Sequence, residues 1–302
     1  MFDWFLDLAS WAQGLILVVA FVIFGSGGLL LTRSWVRQRF GDDPDHNERV
    51  TFLIEVVGVF YALLVGLVAV GAYDHYIEVK SLVTLEASQL TTVYRGAQAF
   101  PNSRRCRLQS QIRNYTEHTI EKVWPAQENG VILGDRGRLD AVFESLMFYE
   151  PQNTQEGNAQ SVTLDALNEY NNLRRQRQAE VETGLLPVLY VVLFIGAVVA
   201  IATSWGFSGV RFANHLALTG VLSFSIGLFL FLILALDYPL KKSNPIEPEA
   251  WTVALEEGMD VPLHGEKQVD TYFGVSTAEQ VPGCLLKAVD YVSFAGSEQL
   301  PE

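Results

Sequence analysis

Asp74, His75 and Glu78 are the nearest the sequence comes to a cluster of metal-ligating side chains, with Asp74 and Glu78 one helical turn apart. A bound cation needs a convergent donor set, and nothing in the sequence completes one here. His46, His118, His215 and His264 stand apart from the trio and from one another, and Cys106 and Cys284 form no Cys-x-x-Cys pair. Charged residues of this kind are what a membrane helix shows where it meets water, so no metal is expected. The nucleophile elbow, the phosphate-binding loop, the HExxH pattern and the dinucleotide fingerprint are all missing. Neither a catalytic residue nor a cofactor is therefore expected.

The remaining chemistry lies in Glu55, which opens an apolar run. Residues 56–73 carry no charge, and a helix of that length reaches about 27 Å, close to a hydrocarbon core of about 30 Å. Glu55 stands about 6 Å inside Thr51, shallow enough to snorkel, where a carboxylate costs less than the ~3 kcal/mol of a charge at the helix centre. Counted in steps of three or four, it shares a face with Val59, Ala62, Gly66, Ala69 and Tyr73. Charges near a span commonly face a cavity or a protein partner. Glu55 is thus a candidate lining or mouth residue; the alternative is a boundary carboxylate paired with an arginine of the first loop. Gly58, Ala62 and Gly66 form a small-xxx-small pattern, whose spacing favours a tight helix interface over the alternative of a helix facing a narrow pore.

The elements that must carry these residues follow from hydropathy. Residues 11–31, 185–205 and 216–236 pass the same length test, giving four spans in a chain of 302 residues with 49% hydrophobic side chains and a formal charge of −13. The leading MFDWFLDLAS holds Asp3 and Asp7 and no basic residue, unlike a signal peptide, so the first span is expected to stay. The acidity is concentrated late: residues 78–184 hold 12 basic and 14 acidic side chains, residues 237–302 hold 4 and 12. So acidic a tail repels nucleic acid and anionic headgroups, and a solvated tail is expected.

Between the second and third spans apolar positions recur every three or four residues. Val79, Leu82, Val83, Leu90, Val93, Tyr94 and Ala97 make one stripe, with no Gly or Pro to separate it from the second span, which is expected to run straight out of the bilayer. Asn102 or Ser103 is expected to cap the next helix, whose stripe of Leu108, Ile112, Tyr115, Ile120, Val123 and Trp124 is interrupted at Pro125 and the Gly-containing stretch to Gly137. Leu139, Val142, Phe143, Leu146 and Met147 mark a third helix, and residues 162–181 a fourth. The expected fold is an all-α integral membrane protein: a first span and basic short loop (1–50), a second span (51–77), a helical extramembrane domain (78–184), third and fourth spans (185–236) and an irregular acidic tail (237–302). Six prolines make helices in the tail short, with Trp251, Tyr272, Phe273, Leu285 and Leu286 as its expected anchors on the domain or on a neighbouring subunit. Cys106 and Cys284 fall on one side of the membrane; thiols so far apart rarely pair by chance, and a disulfide requires an oxidising compartment. Arg33, Arg37, Arg39, Arg49 and Arg211 pull the short loops toward the cytoplasm, while Lys80, Arg174, Arg175, Arg177, Lys241 and Lys242 flank the opposite face, leaving the side of the helical domain open.

The stretches "HNERVTFLIEVVGVFYALLVGLVAVGAYDHY", "LEASQLTTVYRGAQAFP", "YTEHTIEKVWPA" and "FLFLILALDYPLKKSNPIEPEAW" resemble, in that order, the bestrophin-like membrane proteins of bacteria (the DUF4239 family), over roughly residues 45–255. The resemblance implies the bestrophin layout, a pentameric anion channel with four membrane helices per subunit, a helical domain between the second and third, and a pore lined by the second. It would place the chain in a bacterial cytoplasmic membrane or its equivalent. Val59, Phe60 and Leu63 would then be candidates for a hydrophobic neck, beside Glu55, Ala62 and Gly66, with Asp74, His75 and Glu78 at a pore mouth. The acidic clasp of calcium-gated bestrophins is not matched, since Asp237 is followed by Tyr238, Pro239, Leu240, Lys241 and Lys242. The bestrophin domain is cytosolic, opposite to the lean of the short-loop arginines. The alternative function is a non-conducting scaffold or assembly factor that holds a protein partner through the helical domain and tail.

Overall fold

The computed structural model describes residues 8–41, 43, 45–133, 136–181, 183–241 and 245–259. All regular structure among them is helical: α1 (Ser10–Phe40), α2 (His46–Gly96), α3 (Asn102–His118), α4 (Trp124–Glu128), α5 (Arg136–Met147), α6 (Thr154–Glu180), α7 (Pro187–Ser204), α8 (Phe212–Asp237) and α9 (Glu249–Val253), with π turns at Thr119–Val123 and Ala254–Gly258. Four of these, α1, α2, α7 and α8, are long and apolar enough to cross a membrane. The chain is an all-α membrane protein.

The spine is α2, 51 residues without a break. No Gly–Pro signal separates its apolar part from its amphipathic part, so nothing interrupts the hydrogen-bond ladder where the solvent changes. It belongs to two cores. Within the spans, Tyr61, Val65 and Val68 pack with Phe21 of α1, Leu193, Ala197 and Ile201 of α7 and Ile226 and Ile233 of α8. Beyond them, Val79, Val83, Ala87, Leu90 and Val93 pack with Leu108, Ile112 and Tyr115 of α3, Leu139 and Val142 of α5 and Leu167 and Tyr170 of α6. Small residues bring α1 and α8 together: a Cβ on Gly227 would lie 3.0 Å from the Val18 backbone, and one on Gly25 would collide with the Ser223 hydroxyl.

Three boundaries differ from the sequence expectation. The helix does not stop at Pro125, which occupies the first turn of α4, where a missing N–H is unused. Pro101, not Asn102 or Ser103, sits at the cap of α3, with no side-chain cap bond. Finally, α6 begins at Thr154 rather than near Val162; Asn153 accepts the Glu156 N–H at 2.9 Å, and the Glu156 carboxylate accepts the Gln152 N–H at 2.9 Å, closing a capping box.

The segment after α8 folds back onto the domain. Leu240, Ile246, Trp251, Ala254 and Met259 are buried in its core, and the Tyr94 hydroxyl donates to the Met259 carbonyl at 2.7 Å. Trp251 is the anchor the sequence suggested; Tyr272, Phe273, Leu285 and Leu286 lie outside the described residues. Cys106 of α3 is disulfide-bonded, against the expectation from spacing. Cys284, the other cysteine of the sequence, lies outside the described residues.

Candidate permeation path along the second helix

One side of α2 packs inward and the other meets no part of its own chain. Only 11% of its span window is buried, against 22% for α1 and 28% for both α7 and α8. Glu55, Val59, Ala62, Gly66 and Tyr73 all lie on the uncovered side, with Ala69 half-buried at its edge. Phe60 and Leu63 are exposed too: at ~100° per residue, Leu63 stands about 40° beyond Val59 on the same side, whereas Phe60 stands about 140° around the helix from Glu55, on another flank. A Cβ at Gly58 or Gly66 would meet nothing within 4 Å, so these glycines admit no neighbour from their own chain. Gly196 of α7 shows the contrast, since its Cβ would stand 2.7 Å from the Tyr61 ring.

The alternative partner for Glu55, a first-loop arginine, is not what the structure shows. Arg49 pairs with Asp43, and Arg33 donates to the Val210 carbonyl at 3.1 Å.

Beyond the bilayer the uncovered side continues as Lys80, Thr84, Ser88, Thr91 and Arg95. These line a groove of about 750 Å³, closed on its other wall by residues of the 245–258 segment, among them Glu247, Glu249 and Glu257. One helix face thus carries small and apolar side chains in the span, then hydroxyls between two cations outside it.

Asp74, His75 and Glu78 gather on a second groove of about 680 Å³ between α2 and α6. His75 turns away from the two carboxylates beside it and stands 3.7 Å from Glu180 of α6. No set of three or more ligating side chains converges among the described residues.

Charged residues that the sequence did not single out hold α2 in place. Glu86, fully buried, accepts from Arg177 of α6 at 2.5 and 3.2 Å, and Arg177 also donates to Gln127 of α4. Burial pushes the Glu86 carboxyl above the ordinary carboxylate range, and the guanidiniums of Arg177 and Arg174 pull against it. The Arg177 guanidinium also stacks 5.2 Å over Trp124, and the Tyr170 hydroxyl donates to that of Tyr115 at 2.7 Å. The signal was present in the spacing: Glu86 sits on the apolar stripe of Val79, Val83, Leu90 and Val93.

Loops at both ends of the spans are also pinned. Asn47 donates to the Ser208 carbonyl and accepts the Ser208 N–H, both at 2.9 Å, and His46 bonds the Gly206 carbonyl at 2.8 Å. At the other end Asp237 accepts the Leu185 N–H and the Tyr190 hydroxyl, each at 2.5 Å.

Comparison with known proteins agrees with this architecture. A bestrophin-like domain model matches residues 19–251. Solved structures of a bacterial bestrophin homologue from Klebsiella pneumoniae share the fold. A single-substitution variant superposes with a TM-score of 0.58 at 13% identity, covering 82% of this chain and 97% of that one. A second variant gives 0.59 at 11%, covering 82% and 99%, and the form phased on zinc gives 0.58 at 12%, covering 81% and 96%. No curated protein matches the chain. With the family pattern running through three of the four spans in full, most of the first and the whole helical domain, this chain belongs to the bestrophin-like family.

Proposed function

We propose that the chain is the subunit of an oligomeric anion channel of a bacterial cytoplasmic membrane, five copies surrounding an axial path along the uncovered face of α2. The observation that carries this is the face itself: it belongs to the least covered of the four spans and, unlike a plain lipid-facing surface, it bears Glu55 and the small side chains of Gly58, Ala62 and Gly66, which suit close approach by other copies or room beside the helix. Glu55 lies near one end of the path, Val59 and Leu63, one turn apart, form an apolar neck that gates by dewetting, and Phe60 turns toward an adjacent copy. Outside the span, Lys80 and Arg95 offset part of the charge of Glu247, Glu249 and Glu257 on the facing wall of the groove, and the Ser88 hydroxyl lies between the two cations. A passive pore needs no nucleophile and no cofactor.

In the scaffold alternative, a partner held through the helical domain and tail, Trp251 and Met259 are not contact residues, since they pack in the domain's own core. The test is chloride and cation flux in liposomes containing the purified oligomer, whose mass is measured alongside. Chloride-selective flux that turns toward cations in a Lys80→Glu, Arg95→Glu double variant supports the proposal. A tightly folded oligomer without flux under any condition sinks it, and unchanged selectivity in the double variant removes the outer groove from the path.

A further inference from the structure

Val131, Ile132 and Leu133 are three consecutive exposed aliphatic side chains, at 52%, 48% and 38%, on a domain that the membrane does not enclose. They follow α4 through a tight turn in which Gly130, at φ +73°, donates to Gln127 and Val131 donates to the Ala126 carbonyl at 2.9 Å. Turns of this type usually fold the following apolar residue back onto the helix. Val131 instead stays half-exposed, so the turn aims the chain outward.

It aims toward the bilayer end of the domain. A Cβ on Gly130 would lie 3.9 Å from Cε of Lys241, a residue four positions past the end of α8. The Lys241 ammonium lies 4.8 Å from the centre of the Tyr238 ring, and that ring abuts Gly184, three residues before α7 begins. The far end of the domain is marked by Phe100, just past the end of α2, whose ring meets Tyr149 at 5.1 Å; α5 runs from the region of the loop to that tip. Two span termini and the aliphatic loop are therefore within side-chain reach of one another.

We propose that residues 131–133 insert into the headgroup and upper acyl layer of the membrane, giving the domain a lipid contact beside its spans. The chemistry is that of a shallow interfacial anchor: contiguous aliphatic area, continuous with a lipid-facing surface, and a lysine at the level of the phosphates. The inference does not depend on whether α2 conducts.

The test places a photoreactive diazirine analogue of leucine at Ile132, and separately at exposed Phe148 near the far tip, in the full chain reconstituted in phosphatidylethanolamine and phosphatidylglycerol vesicles. Both sites are exposed, and elution as a single oligomer checks folding. Lipid adducts at position 132 and none at 148, read by mass spectrometry, support the anchor. Adducts to a second copy of the chain at 132, adducts to water alone, or equal lipid labelling at both positions overturn it.

Discussion

Replacing Arg177 by methionine isolates what the buried ion pair does for α2. Arg177 and Glu86 are both fully buried, and the change leaves the α2 carboxylate without its hydrogen-bonded partner, Arg174 being the guanidinium that remains near it. Removing one member of such a pair costs about 3–5 kcal/mol. An independent estimate comes from the escape open to Glu86, which is to take up a proton: carrying it protonated at pH 7, about 2.5 units above its unfolded value, costs about 3.4 kcal/mol at 1.36 per unit. The two figures agree. At roughly 2–4 °C per kcal/mol, the thermal midpoint of the detergent-solubilised protein should fall by roughly 6–20 °C at pH 7. The pH dependence is the sharper readout. A carboxyl whose folded pKa is raised contributes stability below its unfolded pKa and loses it as pH rises toward the folded value. For the variant, whose carboxyl stays protonated when folded, moving from pH 7 to pH 5 should recover about 2.5 kcal/mol, the unfolded chain being partly protonated at the lower pH. Adding Glu86→Gln should abolish that recovery. A penalty under about 1 kcal/mol, or one that does not change with pH, would refute the assignment of Glu86 and Arg177 as a stabilising joint.

Gly66→Leu should reduce ion flux while leaving the melting temperature nearly unchanged, because its Cβ enters open space; Gly196→Leu, which drives into the Tyr61 ring, should cost about 1–3 kcal/mol of stability. Trp251→Ala, emptying a wholly buried site, should destabilise the domain by about 3–5 kcal/mol in the same melts. Asn153→Ala should cost about 1 kcal/mol through the lost cap of α6. The Gln152 backbone N–H, then the Tyr149 hydroxyl, hold the Glu156 carboxyl below its ordinary value of 4.5, so this cap stabilises above that pH and is lost as acidification passes the lower folded value. Melts of Glu156→Gln against pH should lack that acid-side loss.

The spans, the unbroken passage of α2 into the domain and the burial of Trp251 were legible because each depends on composition or period within one segment. Glu86 with Arg177 was not, although 91 residues of separation hide only the partner and not the anomaly. A carboxylate among Val79, Val83, Leu90 and Val93 at helical spacing is a demand for a buried cation, and Arg177, one turn from Leu173 and Val181, answers it. The same limit applies to the faces of α2. Apolar side chains look alike whether they meet lipid, protein or a pore, so hydropathy groups Val59, Phe60 and Leu63 together while the helix sets Phe60 about 100° around from Val59.

The stretches that carry the family resemblance are, in the structure, joints. Asn47 ties the start of α2 to the loop before α8, Glu86 ties its middle to α6, Trp124 donates to the Ile246 carbonyl at 3.2 Å and so fastens the returning segment, and Asp237 clamps the end of α8 to the start of α7. Each satisfies groups that would otherwise be buried or stranded unpaired at a membrane boundary, where substitution leaves an orphan donor or acceptor. The uncovered face of α2 has no such obligations: Val59, Ala62 and Gly66 meet no bond or clash from their own chain. The residues that fix the fold and those of the proposed permeation path are therefore different. The joints specify where α2 stands and tolerate little, whereas the face it presents is free to vary in size and polarity without unfolding the subunit. Family membership accordingly identifies the scaffold, and on the proposed function the ion is to be sought along the α2 face that runs from Glu55 to Arg95.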